Sequence, residues 1–380
     1  MKSVLFIGPI PPPITGQALA CEVFLKALDE LHSVTLVNIN KADLVSGGLS
    51  WSRIREILRL LREVRREARR ADAVYFTITE SILGNAKDIL IFIACWRLLG
   101  KMVIHLHGGA GMIRLLNGPT GSLRLLNGFF LRRIASVVVL GKRLTKIYSG
   151  IVPEERLHVV ENFAEDCFQI SSGTLDRKFA SDKPLSVLYL SNMIPEKGYL
   201  LLRDAALELE RKLPGCTQVN FAGAFQSKAE EEKFLDSISS ADNMKYHGVV
   251  NGDEKRTLLA EADILALPTF YPYEGQPICI LEGYASGCAV LTTDHSGIFD
   301  VFEPGRNGWE VEKGSSESII DALSECLARR DKVAKTGASN AQLARSRFTV
   351  DRYNRELVSL VCELLDHESN FAPEDSKKWP

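Results

Sequence analysis

Glu274 and Glu282, with seven residues between them, bracket the stretch of this 380-residue sequence best equipped for chemistry. Residues 265–268 read as a strand ending at Pro268 and residues 269–276 as a loop. A helix opens near Pro277, which a first turn tolerates because its missing N–H has no partner there anyway. Glu274 then lies in the loop, and Glu282 about a turn and a half into the helix. The free backbone N–H groups of Gly275, Gln276, Ile278 and Cys279 form an anion site at the positive end of that helix. Carboxylates so close to a diphosphate repel it unless they face hydroxyls, so the pair suits ribose and sugar recognition. The alternative is an acidic helix start with no ligand.

Two amino-terminal segments add candidates. The strand at residues 102–105 runs into His105-Leu106-His107-Gly108-Gly109-Ala110-Gly111, and alternation puts both histidines on one side with His107 nearer the mouth. A neutral imidazole there can exchange a hydrogen bond with a sugar hydroxyl, and the glycines let substrate approach the backbone. A purely structural histidine is the alternative. The first strand, residues 4–7, empties into a proline-rich loop ending Thr15-Gly16-Gln17, followed by a helical period over 18–31. This is not a G-x-G-x-x-G fingerprint, so hydride transfer loses its main support. Thr15 can cap the helix, and Gly16 lets backbone N–H groups reach an anion; a rigid turn without ligand is the alternative.

Positioning these groups requires alternating strands and helices, and the sequence supplies them. Residues 4–7, 34–37, 73–78, 102–105 and 136–140 read as strands separated by helix-length segments, with a further strand near 159–160. A second series follows at 185–190, 219–222, 263–267, 289–292 and 309–311, then helices over 316–330 and 340–366. The expectation is α/β: two doubly wound, Rossmann-like domains, residues 1–170 and 185–366, joined by a polar linker at 171–184 and ending in a polar tail at 367–380. Facing each other, they would direct the carboxyl ends of both sheets into one interdomain cleft.

Composition narrows the class. An apolar share of 46% excludes a disordered or fibrous chain. No run reaches the roughly 18 apolar residues of a membrane span, and no leader precedes the first strand, so a cytoplasmic protein is expected. Eight cysteines without C-x-x-C spacing read as reduced core thiols, and no metal ligand set is apparent. Residues 1–150 carry 21 Lys+Arg against 10 Asp+Glu, so the remainder carries 25 against 38. The basic half therefore suits an anionic surface or acceptor. Within it, residues 51–70 place apolar residues at 54, 57, 58, 61, 64 and 68 on one helical face and eight arginines on the rest. Trp51, Arg55, Arg59, Arg62 and Arg66 are thus candidates for peripheral contact with an anionic membrane, the alternative being an ordinary helix packed on its sheet. The arginines are not interleaved with aromatics, which disfavours nucleic acid.

The segment around Glu274 and Glu282, with the small-residue helix and Ala285-Ser286-Gly287-Cys288-Ala289-Val290 step after it, resembles the retaining GT-B glycosyltransferases of glycosyltransferase family 4. Gly16, His107, residues 137–140 with Gly150, and residues 190–198 extend the resemblance over nearly the whole chain. It implies that Glu282 holds the nucleotide ribose, Glu274 the donor-sugar hydroxyls and Lys197 the diphosphate. His107 would steady the transferred sugar, and Gly248 and Val249 would form the base-binding turn. Three positions depart from the pattern: Asn192 stands where an Arg is common, Gln276-Pro277 where an aromatic-glycine pair is usual, and Glu161-Asn162-Phe163 where Pro-Asn-Gly is. No Asp-x-Asp occurs, so metal independence is expected, with Lys197, helix amino ends and the Gly16 loop meeting the diphosphate charge. The implied activity is retaining transfer from a UDP- or GDP-sugar, with no further cofactor, to a glycan or lipid-linked acceptor in bacterial surface-polysaccharide assembly. The last helix would return to the amino-terminal domain, and the protein would sit peripherally on the cytoplasmic membrane's inner face. The rival readings are an epimerase of the same fold and a weakly active nucleotide-sugar-binding subunit.

Overall fold

The computed structural model describes residues 1–40, 51–117, 121–179 and 183–366. The expected polar tail at 367–380 and residues 180–182 of the expected linker lie outside these. Each of two compact units is built on a six-stranded parallel sheet.

In the first unit the strands are β1 Ser3–Gly8, β2 Ser33–Asn38, β3 Ala73–Ile78, β4 Met102–Leu106, β5 Ser136–Val139 and β6 Leu157–Val159, in spatial order β2-β1-β3-β4-β5-β6. The central strand β3, AVYFTI, is buried at every position, as a parallel strand covered on both faces must be. In the second unit they are β7 Leu185–Leu190, β8 Thr217–Ala222, β9 Met244–Tyr246, β10 Ile264–Leu267, β11 Ala289–Thr292 and β12 Gly308–Glu310, in order β9-β8-β7-β10-β11-β12. Strand order reverses between β1 and β3 in one sheet and between β7 and β10 in the other. At such switch points two loops diverge and leave a crevice at the carboxyl edge, where doubly wound sheets bind ligands.

The first unit comprises Met1–Glu161 with the chain from Tyr353 onward, and the second Asn162–Arg352. The division falls ahead of the polar stretch 171–184, part of which is the helix Ser172–Phe179. Its Lys178 is buried and donates to the carbonyls of Leu259 at 3.3 Å and Ser286 at 2.7 Å, so this helix packs as part of the second unit. Tyr353, in the helix Val350–Asp366, donates its hydroxyl to the Ala20 carbonyl at 3.5 Å, and Cys362 Sγ lies 3.4 Å from His32 Nε2.

The sequence reading left out β9, whose three residues Met-Lys-Tyr carry no alternation. It also reads a single helix over 340–366, whereas two helices stand there, Arg330–Arg347, with few apolar residues in its first turns, and Val350–Asp366.

Candidate functional site

At the switch point of the second sheet, β7 runs through Ser191 and exposed Asn192 into a tight turn Pro195–Lys197. Gly198 closes the turn at φ 86°. A Cβ there would sit 2.4 Å from the Pro268 carbonyl oxygen, so only glycine lets the loop after β7 press against the loop after β10. Gly198→Ala is accordingly expected to cost about 1–3 kcal/mol from φ alone, with the backbone clash added, and to lower the melting temperature in a thermal scan.

That contact places Lys197 against the carboxylate loop. Its Nζ lies 3.4 Å from Glu274 Oε2 and 5.3 Å from the Tyr271 ring centroid. Thr269 donates its hydroxyl to the same Glu274 oxygen at 3.3 Å, and Ser296 donates to the Glu274 carbonyl at 2.6 Å. The loop is thus fixed from both ends before any ligand arrives.

The helix Ile278–Ala285 follows, with Pro277 at its amino cap, and its fifth residue is Glu282. Only 1% of Glu282 is exposed, and it is met by Lys255 Nζ at 2.6 Å from the helix Gly252–Glu261. Burial pushes the Glu282 carboxyl up, and the Lys255 ammonium opposes that shift. Half-buried Cys279 is within electrostatic reach of Lys197, Glu274, Glu282 and Lys255 together, which makes these four charges one cluster; burial pushes its thiol up to about 12.

Other candidate residues of this unit fall into different roles. Ile278 is buried in the first turn. Gly275 accepts from the Gly297 amide at 3.1 Å. Gln276 forms a latch to Asn162: its Oε1 accepts from Asn162 N, and its carbonyl from Asn162 Nδ2, both at 2.7 Å. The departing residue Gln276 is thus bonded to Asn162, the one residue of Glu161-Asn162-Phe163 that keeps the usual type. Asn192 uses its carbonyl to accept from the Tyr189 hydroxyl at 3.0 Å and leaves its side chain outside. Gly248, at φ 71°, and exposed Val249 form the turn after β9, where the Gly248 carbonyl accepts from Gly223 N at 2.8 Å.

In the first unit Thr15 accepts from Ala18 N at 3.1 Å and so caps the helix Gly16–Asp29, with exposed Gly16 and half-buried Gln17 in its first turn. His105 is fully buried, its Nδ1 2.7 Å from the Tyr75 hydroxyl, and its ring centroid is 4.0 Å from that of His107. The His107 ring is half-buried with its Nε2 shielded, and burial holds its imidazole down at about 3, so it is neutral near pH 7. Beside it, at the end of β3, stands Glu80, whose carboxyl burial pushes up to about 8.

That shift has a pH signature. A raised folded-state pKa means the unfolded chain loses a proton from about pH 4.5 upward that the folded chain keeps until about 8. Stability associated with Glu80 is therefore full below pH 4.5 and falls as pH rises, by roughly 4 kcal/mol at pH 8. Denaturant titrations of wild type and Glu80→Gln from pH 5 to pH 8 are expected to diverge, with the variant gaining as pH rises.

Residues 184–329, which hold Lys197, Lys255, Glu274 and Glu282, match the family model described as glycosyl transferases group 1. This stretch carries the glycosyl transferases group 1 pattern. Over 192 residues the chain is 24% identical to a GDP-mannose-dependent alpha-(1-6)-phosphatidylinositol monomannoside mannosyltransferase of Mycobacterium tuberculosis, covering 49% of this chain and 50% of that one. It is 26% identical over 148 residues to the amylovoran biosynthesis glycosyltransferase AmsK of Erwinia amylovora, covering 38% and 36%. The match thus spans about half the length, or less, of these curated relatives. The crystal structure of Anabaena Alr3699/HepE in complex with UDP superposes with a TM-score of 0.71 at 18% identity, over 96% of this chain and 100% of that one. WaaG, a glycosyltransferase involved in lipopolysaccharide biosynthesis, gives 0.66 at 15% identity over 96% and 98%. The fold is that of the GT-B glycosyltransferases.

Sequence reasoning missed Lys255 and Glu80. Lys255 is 27 positions from Glu282, and nothing local to either marks the pairing. Glu80 is a lone acid two residues past a strand, a position that becomes notable only once strand order puts β3 beside the switch point.

Proposed function

We propose that this protein is a retaining glycosyltransferase that moves a sugar from a UDP- or GDP-sugar to a hydroxyl acceptor. The observation that carries the reading is the cluster Lys197–Glu274 and Lys255–Glu282 at the β7/β10 switch point, within the group 1 stretch. Buried carboxylates held by cations suit ribose and sugar hydroxyls, and Lys197 with the amino end of the helix Ile278–Ala285 suits a diphosphate. In the reaction the acceptor oxygen bonds to the anomeric carbon on the face from which the diphosphate leaves. The carbon–oxygen bond to phosphate breaks with its electron pair staying on the phosphate, and a phosphate oxygen takes the acceptor proton. Neutral His107 steadies the transferred sugar. No divalent cation is required, the charge being met by Lys197 and backbone dipoles.

Turnover is followed as release of UDP or GDP from a panel of nucleotide-sugars, with lipid extracts as acceptor and with chelator present. Proton NMR of the product is expected to show the donor's anomeric configuration. Inversion would overturn the mechanism, and a requirement for divalent metal would overturn the metal-free account.

The acceptor we infer is a lipid-linked glycan, approached from an anionic membrane surface. In the helix Trp51–Glu67, Leu60 and Val64 are buried against the sheet. Trp51, Ile54 and Leu58 are instead exposed, at 80%, 40% and 46%, and form an outward apolar row at helical spacing. Exposed Arg55, Arg59 and Arg62 surround that row, whereas Arg66 is engaged by Glu67 at 2.6 Å. Among the described residues no helix is long and apolar enough to cross a membrane. Charge reversal of Arg55, Arg59 and Arg62 to Glu is expected to lower binding to phosphatidylglycerol vesicles at least 100-fold in a sedimentation assay, at about 1 kcal/mol per charge.

A second reading, a nucleotide-sugar-binding subunit with little turnover, is favoured by exposed Asn192 where a second cation would help the leaving group. Under that reading Asn192→Arg raises turnover from near zero, whereas under the main reading the parent is already active.

A further inference from the structure

The carboxylate loop of the second unit takes its shape from the loop that follows β11. Thr292 donates its hydroxyl to the Leu267 carbonyl at 2.8 Å, and the Thr293 hydroxyl donates to the carbonyl of Thr269. His295 Nε2 donates to the Tyr271 carbonyl at 2.7 Å, Ser296 Oγ to the Glu274 carbonyl at 2.6 Å and Gly297 N to the Gly275 carbonyl at 3.1 Å. Residues 292–297 thus hold five main-chain carbonyls between Leu267 and Gly275. One of these contacts is made against backbone preference. Ser296 stands at φ 51°, and among the described residues it is the only one other than glycine on the positive side of φ. Glycine adopts that conformation freely and serine does not, and such outliers persist where surrounding contacts over-determine them, most often at ligand sites. What serine supplies that glycine cannot is the hydroxyl, and the hydroxyl goes to Glu274.

We infer that Ser296 is a positioning residue that sets donor-sugar selectivity: by fixing the main chain of Glu274, it holds that carboxylate at one place relative to the hydroxyls of the transferred sugar. The carboxylate is held at its other end as well, by the Thr269 hydroxyl at 3.3 Å and Lys197 Nζ at 3.4 Å. Main chain and head group are therefore both located, and only the side-chain torsions between them remain. Sugars that differ at one stereocentre present the same hydroxyl in different directions. A carboxylate free to follow the hydroxyl accepts either epimer, whereas a fixed one leaves a polar group unpaired with the wrong epimer. Bare nucleotide makes no use of Glu274 in this scheme, because the ribose falls to Glu282, whose partner Lys255 comes from the helix Gly252–Glu261. The inference rests on the glycosyl-transfer reading and adds to it a residue that acts through Glu274.

The test uses the full chain and calorimetric titration with UDP, GDP, UDP-glucose, UDP-galactose, UDP-N-acetylglucosamine, GDP-mannose and GDP-fucose, on wild type and on Ser296→Gly, Ser296→Ala and Ser296→Asn. Wild type is expected to prefer one sugar over the others on the same base by about tenfold or more. Ser296→Gly and Ser296→Ala both lose the hydroxyl, and each is expected to bind the sugars of that base within about threefold of one another, with affinity for the bare nucleotide unchanged. Their stabilities differ: glycine relieves the backbone and alanine does not, so the glycine variant melts higher. Equal loss of selectivity at unequal melting temperature is what a positioning role predicts and a purely structural role does not. Asparagine tolerates positive φ and carries a donor, so Ser296→Asn is expected to keep the preference within about threefold of wild type. Selectivity retained without the hydroxyl, selectivity lost only in the lower-melting alanine variant, or nucleotide affinity lost in parallel would overturn the inference. So would an asparagine variant as unselective as the glycine one, or a wild type that binds all sugars of one base alike. A wild type that binds no nucleotide removes instead the glycosyl-transfer reading, so the two failures are distinguishable.

Discussion

Replacing Lys197 with alanine is expected to lower the rate of sugar transfer by about 10²–10³-fold, the range found for removing one preorganised group from developing negative charge. The leaving diphosphate gains charge as its bond to the sugar breaks, so a fixed cation beside it stabilises the transition state more than the bound donor. This chain has little reserve at that point. Asn192 stands where a second cation would act, its side chain is outside, and Pro277 removes one backbone donor from the helix start. What remains is the amino end of the helix Ile278–Ala285. Lys197→Ala also removes the cation 3.4 Å from Glu274, so under the proposed function the carboxylate assigned to the sugar loses an orienting contact along with the group assigned to the phosphate. Steady-state kinetics should show the loss chiefly in kcat. A loss confined to the donor KM would mean that Lys197 binds substrate and transition state equally.

The second large effect concerns Glu282. Glu282→Ala is expected to weaken nucleotide binding about 10- to 100-fold, since hydrogen bonds to a charged group are worth about 1.5–3 kcal/mol. It is also expected to destabilise the fold, because Lys255, 2.6 Å away and with 18% of its side chain exposed, is left without its carboxylate. Breaking a fully buried pair costs about 3–5 kcal/mol, and the exposure of Lys255 places this case below that range. Glu282→Gln separates the two effects. It retains shape and one acceptor, so stability recovers more than affinity does. A variant that melts early yet binds nucleotide normally would assign Glu282 to the fold alone.

Much of the architecture could be read from residue order. Buried parallel strands such as AVYFTI of β3 and LSVLYL of β7 are continuous apolar runs, and their alternation with helices leaves few topologies. Glu274 and Glu282 were legible because a loop and a helix start confine both to one short segment. Lys197 came only from family resemblance, since a single lysine after a strand has no distinguishing period.

What stayed hidden depends on contacts between distant positions. The Lys255–Glu282 and Asn162–Gln276 pairs form only when separate elements pack, and no periodicity encodes either. The apolar residues of 51–70 read as one helical face, for a membrane surface or for the sheet, yet Ile54 and Leu58 turn outward while Leu60 turns in, because the buried line is set by where the helix meets its sheet. Glu80 was passed over for a related reason. Its raised carboxyl comes from burial, a property of the folded chain.

The most direct test is calorimetric titration of the intact protein with UDP, GDP, UDP-glucose and GDP-mannose, repeated on Glu282→Ala. The account predicts saturable binding of one nucleotide family with one site per chain, weakened at least tenfold in the variant. If none of the four binds, or if the variant binds as wild type does, the carboxylate cluster at the β7/β10 switch point is structural and the assignment of a donor site is contradicted.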